Sequence, residues 1–335
     1  MPTPEPTPAP SPPPRVAVLI VNYNTADELA RCLAALAAQT VAPARVIVVD
    51  NASQDHTRQV LAAAPLPVEA VFAGANLGFA PANNLAAARV DDCAWLALVN
   101  PDAYPRPTWL AELLDAARRR PEFRFFASRL VAADDPQLLD GTGDLYHGSG
   151  LACRRDHRRV GRGRALAEEE VFAPCAAAAL YDHAAWQEAG GFDESYFCYF
   201  EDVDLAFRLR LLGHRCLYVP RAEALHQGSA ASGVRSDFAT YHGHRNLVTT
   251  FLKDMPGPLL WLYLPWHLAA NLATVLWLAR RGQGRVALQA KWHALRNLPH
   301  TLASRHTIQQ KRRASATQIR RAFTTTREFF RHLNG

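Results

Sequence analysis

The sequence predicts an α/β fold built on a parallel, doubly wound sheet, and three observations carry that reading. Short runs rich in apolar and β-branched residues recur through the first hundred residues, as strands buried on both faces do. Segments with helical spacing of apolar residues separate them at short intervals. Each run stops in polar residues, and a doubly wound sheet holds its ligands at the carboxyl ends of its strands.

Residues 15–21 (RVAVLIV) form the first strand, and 26–38 follow with Leu29, Leu33 and Leu36 on one helical face. Residues 45–49 (RVIVV) form the second strand, which runs directly into Asp50 and Asn51. The stretch 54–63 reads as helix, 68–72 as strand and 80–89 as helix. Residues 95–99 form a fourth strand that ends in Asn100-Pro101-Asp102. The strand ends thus collect Asn22, Tyr23 and Asn24, then Asp50, Asn51 and Ser53, then Asn76 after a short turn, and Asp102. Any one cluster alone fits a turn or helix cap; four in succession point to a ligand site.

Residues 132–170 are rich in Gly, Arg and Asp with little periodicity, which predicts a long loop or irregular hairpin placed to cover a site. Regular structure returns at 173–181. The segment 201–212 (EDVDLAFRLRLL) is a helix with Leu205, Leu209 and Leu212 on one face and Gly213 as its stop, and 216–219 is a strand. Glu201 and Asp202 open that helix after Tyr196-Phe197-Cys198-Tyr199-Phe200. Aromatic neighbours desolvate a carboxylate and make it a better proton acceptor near neutral pH. The helix macrodipole also favours acids there, so the pattern alone leaves both readings open for Glu201, Asp202 and Asp204. His226 and Asp102 suit a divalent cation as imidazole and carboxylate ligands; a surface-loop histidine fits the sequence equally well.

Composition sets outer limits. Hydrophobic residues make up 49% of the 335, enough for one large α/β domain with appendages. Residues 1–14 include eight prolines and predict a disordered arm without the basic end and apolar run of a signal peptide. Cys32, Cys93, Cys153, Cys175, Cys198 and Cys216 form no CxxC pair, which suits reduced thiols rather than a disulfide or zinc framework. The net charge of +6 is unevenly spread: residues 255–335 hold thirteen Lys/Arg against Glu328 alone, so the preceding body is acidic. A basic tail points to phosphate-rich partners.

Seven blocks then make a resemblance. They are LIVNYNTADELARCLAAL (19–36), VIVVDNASQD (46–55), NLGFAPANN (76–84), LVNPDA (98–103), GGFDESYFCYFEDVDLAFRLRLLGHRCLYVP (190–220), HQGSA (226–230) and HGHRN (242–246). In this order the chain resembles glycosyltransferase family 2 over residues 16–256, in particular its bacterial rhamnosyltransferase-like branch. The resemblance implies a glycosyltransferase-A fold with a doubly wound mixed sheet and an inverting, metal-dependent sugar transfer. Such chemistry needs recognition of the nucleotide, a divalent cation on the departing diphosphate, and a base for the acceptor hydroxyl. It needs no second carboxylic acid of the kind glycoside hydrolysis uses.

Carried onto matching positions, the resemblance makes Asp202 the base, with Glu201 positioning acceptor or base. Asp50 binds the nucleobase, with Asn22, Tyr23, Asn24, Asn51, Asn76 and Gly78 on the same donor side. Asp102 and His226 hold Mg²⁺ or Mn²⁺. Asn100 stands where many relatives have an acid. Gly190, Gly191 and Asp193 shape the acceptor side, and Arg245 faces diphosphate or acceptor. The segment 175–183 (CAAAALYDH) resembles one that usually reads CGAAALYR; Ala176 and Asp182 are departures, which puts donor or acceptor details in question. The implied donor is deoxythymidine-diphosphate rhamnose, with uridine-diphosphate sugars as the alternative, and the implied acceptor is a lipid-linked saccharide of cell-surface polysaccharide synthesis.

The division expected along the chain is 1–14, a catalytic domain at 15–256 and a helical, basic region at 257–335. Residues 258–279 carry no formal charge but include Pro265, His267 and Asn271. Residues 286–302 place Trp292, Leu295, Leu298 and Leu302 near helical spacing with Lys291 and Arg296 between them. Both predict interfacial helices on an anionic membrane, which would make the protein peripheral on the cytoplasmic face of the inner membrane, with a true span at 258–279 or a helical oligomer interface as the alternatives. No nucleic-acid-binding motif accompanies the basic residues. A sugar-nucleotide pyrophosphorylase would need a glycine-rich basic loop where NYNTADEL stands, and a processive synthase would need QxxRW. A catalytically inactive scaffold that binds nucleotide sugars is disfavoured by Asp50, Asp102, Asp202 and His226 all being present.

Overall fold

The computed structural model describes residues 15–228 and 236–333. The proline-rich arm expected over 1–14 lies outside them, as do residues 229–230 of the HQGSA block.

The first half alternates as expected: β1 (Val16–Asn22), α1 (Ala26–Ala37), β2 (Arg45–Asp50), α2 (Thr57–Ala62), β3 (Glu69–Phe72), α3 (Phe79–Ala87), β4 (Trp95–Val99), β5 (Ala103–Pro105), α4 (Trp109–Arg119) and β6 (Phe125–Ala132). The irregular stretch forms β7 (Leu139–Gly141), β8 (Asp144–Tyr146), β9 (Ala152–Arg154) and β10 (Glu169–Val171). Then come β11 (Ala178–Asp182), α5 (His183–Ala189), α6 (Glu201–Leu211), β12 (Cys216–His226) and α7 (Asp237–Asp254). The C-terminal region is α8 (Gly257–Ala279), α9 (Gly284–Arg296), α10 (Leu298–Lys311), α11 (Ala316–Ala322) and α12 (Thr326–Leu333).

The principal sheet has the order β10-β12-β6-β11-β4-β1-β2-β3. β1 is parallel to β2 and β4, and β2 to β3, whereas β11 runs antiparallel between β4 and β6. The sheet is therefore mixed, as the family resemblance implies and the alternation alone does not. Each central strand feeds two cores. Val16, Val18 and Ile20 pack with α1 and α4 on one face, while Ala17 and Leu19 pack with α3, α5 and α6 on the other. That is the two-residue side-chain period of a strand covered on both sides. The register puts Asn22 opposite Asp50, and Asp50 opposite Phe72, so the polar ends form one rim.

The covering segment is more ordered than a loop. β8 and β9 make a separate two-stranded hairpin with Asp144 opposite Arg154. β7 pairs with β6 as Leu130↔Gly141 and Val131↔Leu139, so Asp140 is the extra residue of a β-bulge. Bulges re-aim a side chain out of the regular alternation.

Packing does not divide the chain at 256/257. Leu259, Ala314 and Ile319 belong to the same core as Phe207 and Leu209 of α6. Arg305 donates to the carbonyls of Leu252 and Met255, and the Arg313 N–H bonds the carbonyl of Leu211. The ring of Phe323 packs against Tyr146 and Phe207.

Candidate active site

On the rim of β1 and β2, Asn22 is wholly buried. Its Nδ2 donates to Thr57 Oγ1 at 2.9 Å and its Oδ1 accepts from Thr25 at 2.8 Å. Its amide is occupied in fixing the loop. Asn24 sits at φ 52° and accepts from the Gln54 N–H at 2.7 Å. Tyr23 is exposed. Asn51 bridges Leu77 and Gly78, accepting from the N–H of Leu77 at 3.1 Å and donating to the Gly78 carbonyl at 3.0 Å. Asn76 accepts from the Gly78 N–H at 3.0 Å. Asp50 is buried at the floor of this rim, and Ser53 N–H donates to its Oδ1 at 3.3 Å. Ala52 at φ 65°, with Tyr199 at 65° and Phe200 at 69°, places strained backbone beside Asp50 and directly before Glu201. Such strain persists at functional sites when the surroundings over-determine it.

Asp102 and His226 come together because β12 extends to His226 rather than stopping at Val219. It passes an irregularity between Val219 and Glu223 and pairs with β5 so that His226 lies opposite Ala103. His226 Nε2 stands 3.5 Å from Asp102 Oδ1, and its Nδ1 bonds Asp140 Oδ2 at 2.7 Å. Burial opposes a charged ring there, but the two carboxylates outweigh it and raise the histidine above its ordinary range. Two ligands on adjacent positions of a small divalent cation lie about 3 Å apart, so the pair fits one. Among the described residues no group of three or more His, Cys, Asp or Glu side chains forms a ready-made cage. Mg²⁺-type sites commonly use one or two protein ligands and fill the remainder with water and phosphate. Asn100 holds the turn into this site, its N–H bonding the Ala177 carbonyl at 2.9 Å.

At the start of α6, Asp202 is held at both oxygens: Oδ1 by the Val203 N–H at 2.8 Å and Oδ2 by the Ala176 N–H at 3.2 Å. Burial raises its carboxyl, and the two N–H bonds and Arg154 moderate the rise. Glu201 is buried, and among the described residues its Oε2 has no hydrogen-bond partner. Burial and then the neighbouring Asp202 charge hold it well above the carboxylate range, which favours its neutral form. Asp144, pushed up to about 8 by burial and then by Asp202, belongs to the same field. Asp140, Asp144 and Arg154 were not singled out in the sequence. Acids flanked by glycine in DGTGD (140–144) were the available signal.

The acceptor-side expectations need correction in detail. Gly190 ends α5 at φ 83°, and a Cβ on Gly191 would lie 2.6 Å from Asn84 Oδ1. The two glycines make a turn clamped to α3 by Asn84, which also donates to the Phe192 carbonyl at 2.8 Å. Asp193 makes an ion pair with buried Lys253, which also pairs with Asp204 at 2.5 Å. Arg245 donates to the Ser195 carbonyl at 2.7 Å and to Asn246 at 2.8 Å, so it braces the loop before α6. Asp182 caps α5 and pairs with Arg124 at the end of β11 remote from Ala176.

With this geometry, comparison with known proteins is specific. Residues 17–144 match the family model for glycosyl transferase family 2. The chain is 31% identical over 284 residues to the N-acetylglucosaminyl-diphospho-decaprenol L-rhamnosyltransferase of Mycobacterium tuberculosis, covering 76% of this chain and 90% of that one. Its fold is similar to that of GalNAc-T7, solved with UDP, GalNAc and Mn²⁺, at TM-score 0.57 and 14% identity. That match covers 72% of this chain and 48% of GalNAc-T7, so the chain spans about half the length of that structure. It is also similar to the mannosyltransferase PcManGT from Pyrobaculum calidifontis, solved with GDP-Man and Mn²⁺, at TM-score 0.53 and 19% identity over 94% of this chain and 88% of that one.

Proposed function

The chain belongs to glycosyl transferase family 2 and is a glycosyltransferase, and on that premise we propose that it moves rhamnose from a nucleoside diphosphate to a lipid-linked saccharide with inversion. The observation that carries the reading is that Arg154 links the two halves of the site: it donates to Asp140, the partner of His226, and acts electrostatically on Asp202, which two backbone N–H groups hold. Asp202 accepts the acceptor hydroxyl's proton; burial has raised its basicity, and its orientation is fixed by two backbone donors. Protonated Glu201 beside it donates a hydrogen bond that orients the acceptor. Asp50 takes the imide N–H of a pyrimidine, with the Asn51–Asn76–Gly78 turn as the wall of that subsite. Asp102 and His226 would hold Mg²⁺ or Mn²⁺, which neutralises the departing diphosphate. Deoxythymidine-diphosphate rhamnose is the preferred donor because the rhamnosyltransferase relative is matched over nearly its whole length.

α8 supports action at a membrane surface. It is long and apolar enough to cross a membrane by length and composition, yet one face is committed to protein. His267 Nδ1 bonds the Ser149 carbonyl at 2.7 Å and its ring stacks on Phe251 at 3.8 Å. The opposite face exposes Trp261, Trp266, Leu268, Leu272 and Leu276, and neighbouring α9 adds Leu288, Trp292 and Leu295. A helix lipid-facing on one side and protein-bound on the other lies in the interface, with Arg280, Arg281 and Arg285 at its end for anionic headgroups. The reading thus places the enzyme peripherally on the cytoplasmic leaflet, where nucleotide sugars are supplied.

The test is donor turnover. Purified protein is incubated with Mg²⁺ or Mn²⁺, a panel of nucleotide sugars and a polyprenyl-diphosphate-linked N-acetylglucosamine acceptor, and released nucleoside diphosphate is read. The expected result is release from the rhamnose donor, abolished by EDTA. Release from a uridine-diphosphate hexose alone would overturn the donor, and absence of nucleotide binding would leave an inactive scaffold.

A further inference from the structure

We infer that Asp140, brought to the site by the β7 bulge, is a positioning residue for His226, so that the covering segment is a working part of the metal site. The inference rests on the proposed role of His226 as ligand. A carboxylate only accepts, so the 2.7 Å contact of Asp140 Oδ2 with Nδ1 places a hydrogen on Nδ1. Nε2 is thereby the ring nitrogen left facing Asp102, 3.5 Å away, and the one available to a cation shared with that carboxylate. Ligating histidines are oriented in this way by a carboxylate on their second nitrogen, and loss of that partner costs about 10- to 100-fold in metal affinity.

The arrangement is built rather than incidental. Regular alternation along β7 would not leave Asp140 between Leu139 and Gly141, whose partners Val131 and Leu130 are adjacent; the bulge is what frees it. Asp140 is itself held: Arg154 Nη1 donates to the same Oδ2 at 2.5 Å, and His157 Nδ1 lies 2.9 Å from its backbone carbonyl. The side chain of Arg154 fills the space beside Gly141, where a Cβ would lie 2.8 Å from it. β7, β9 of the hairpin and the turn at His157 thus together hold the carboxylate that meets this imidazole. Asp140 is not a co-ligand in this geometry, because its oxygen is on the far ring nitrogen.

The experiment measures Mn²⁺ affinity of the full chain by electron paramagnetic resonance with saturating deoxythymidine diphosphate, for D140N, D140A, H226A and the D140N/H226A double variant. Melting temperatures report folding, and D140N keeps the side-chain volume in case D140A unfolds. We expect H226A and D140A each to weaken Mn²⁺ binding at least about 10-fold, D140N to lose less because its amide oxygen still accepts from Nδ1, and the double variant to match H226A. Wild-type affinity in folded D140A, or a loss in the double variant equal to the product of the single losses, would overturn the inference. Wild-type affinity in H226A would instead overturn the ligand role of His226, and the inference with it.

Discussion

The backbone N–H of Ala176 donates to Oδ2 of Asp202 at 3.2 Å, across 26 residues of sequence. The contact uses main chain alone, and Ala176 is not among the residues with positive φ, so the glycine usual at this position in relatives is not required for it. With Val203 N–H on Oδ1, the carboxylate cannot rotate freely. Asp202→Asn would set an amide N–H against one of these two donors and remove the base. Its kcat should fall by at least about 10², with nucleotide binding measured by calorimetry little changed. An unaffected kcat would remove Asp202 from the chemistry.

Arg154 tunes that base. It lowers the Asp202 carboxyl against the larger upward push of burial. Transfer requires ionised Asp202, so the rate rises with pH as Asp202 loses its proton. Arg154→Met removes the cation, the folded-state pKa rises further, and the acidic limb of kcat/KM moves to higher pH. The pH-rate profile is the measurement, and a limb in its wild-type position would count against the coupling, whatever the absolute rate.

Gly78 is set at φ 90°, and a Cβ there would lie 2.5 Å from the Phe197 carbonyl oxygen. That oxygen also accepts from Phe79 N–H at 2.6 Å, which ties the nucleotide rim to the loop before Glu201. Gly78→Ala should destabilise the fold by about 1–3 kcal/mol through backbone strain and raise the donor KM as well. Thermal unfolding and donor titration check the two together.

Lys253, 1% exposed, neutralises Asp193 and Asp204 beneath the catalytic helix. Lys253→Met leaves these acids and Asp254 with Arg208 and, beside Asp254, Arg305 as cations, at a cost of roughly 3–5 kcal/mol for a broken buried pair. Burial then pushes the Asp193 carboxyl up without its opposing cation, and Asp254, already held well above its ordinary value by burial, rises further. Protons bind the folded chain preferentially as pH falls, so the deficit should shrink from pH 8 to pH 5. Urea unfolding at both values tests this.

Trp261, Trp266 and Trp292 are 72%, 66% and 63% exposed and touch nothing in the catalytic machinery described above. Replacing all three by Ser should cut sedimentation with anionic phospholipid vesicles at least about tenfold while leaving donor hydrolysis unchanged. Undiminished sedimentation would refute the interfacial role of α8 and α9.

How much of this was legible depends on sequence distance. The strand ends were readable because buried parallel strands are uniform and stop abruptly: β2 was expected at 45–49 and is Arg45–Asp50, and the helix expected at 201–212 is Glu201–Leu211. Asp140, Asp144 and Arg154 were hidden because the hairpin and bulge that place them are fixed by partners elsewhere, not by local periodicity. The 3.5 Å approach of His226 to Asp102 depends on a strand that continues past Pro220 through an irregularity, which no short-range pattern announces. The resemblance supplied the fold's mixed sheet; it did not reveal that Asn22 and Asp193 are spent on internal bonds.

The burial of Ile319 and Phe329 has a consequence for synthesis. At about 5–20 residues per second, the ribosome makes the first strands well before α11 and α12 exist. The core beneath α6 cannot close until residues near 314–323 have been made, so the catalytic helix matures about a hundred residues after its own synthesis. In that interval the apolar α8 has already been made, and its Tyr263 is not yet seated against Phe323. A nascent chain would therefore meet the bilayer, or a chaperone, before it becomes an enzyme.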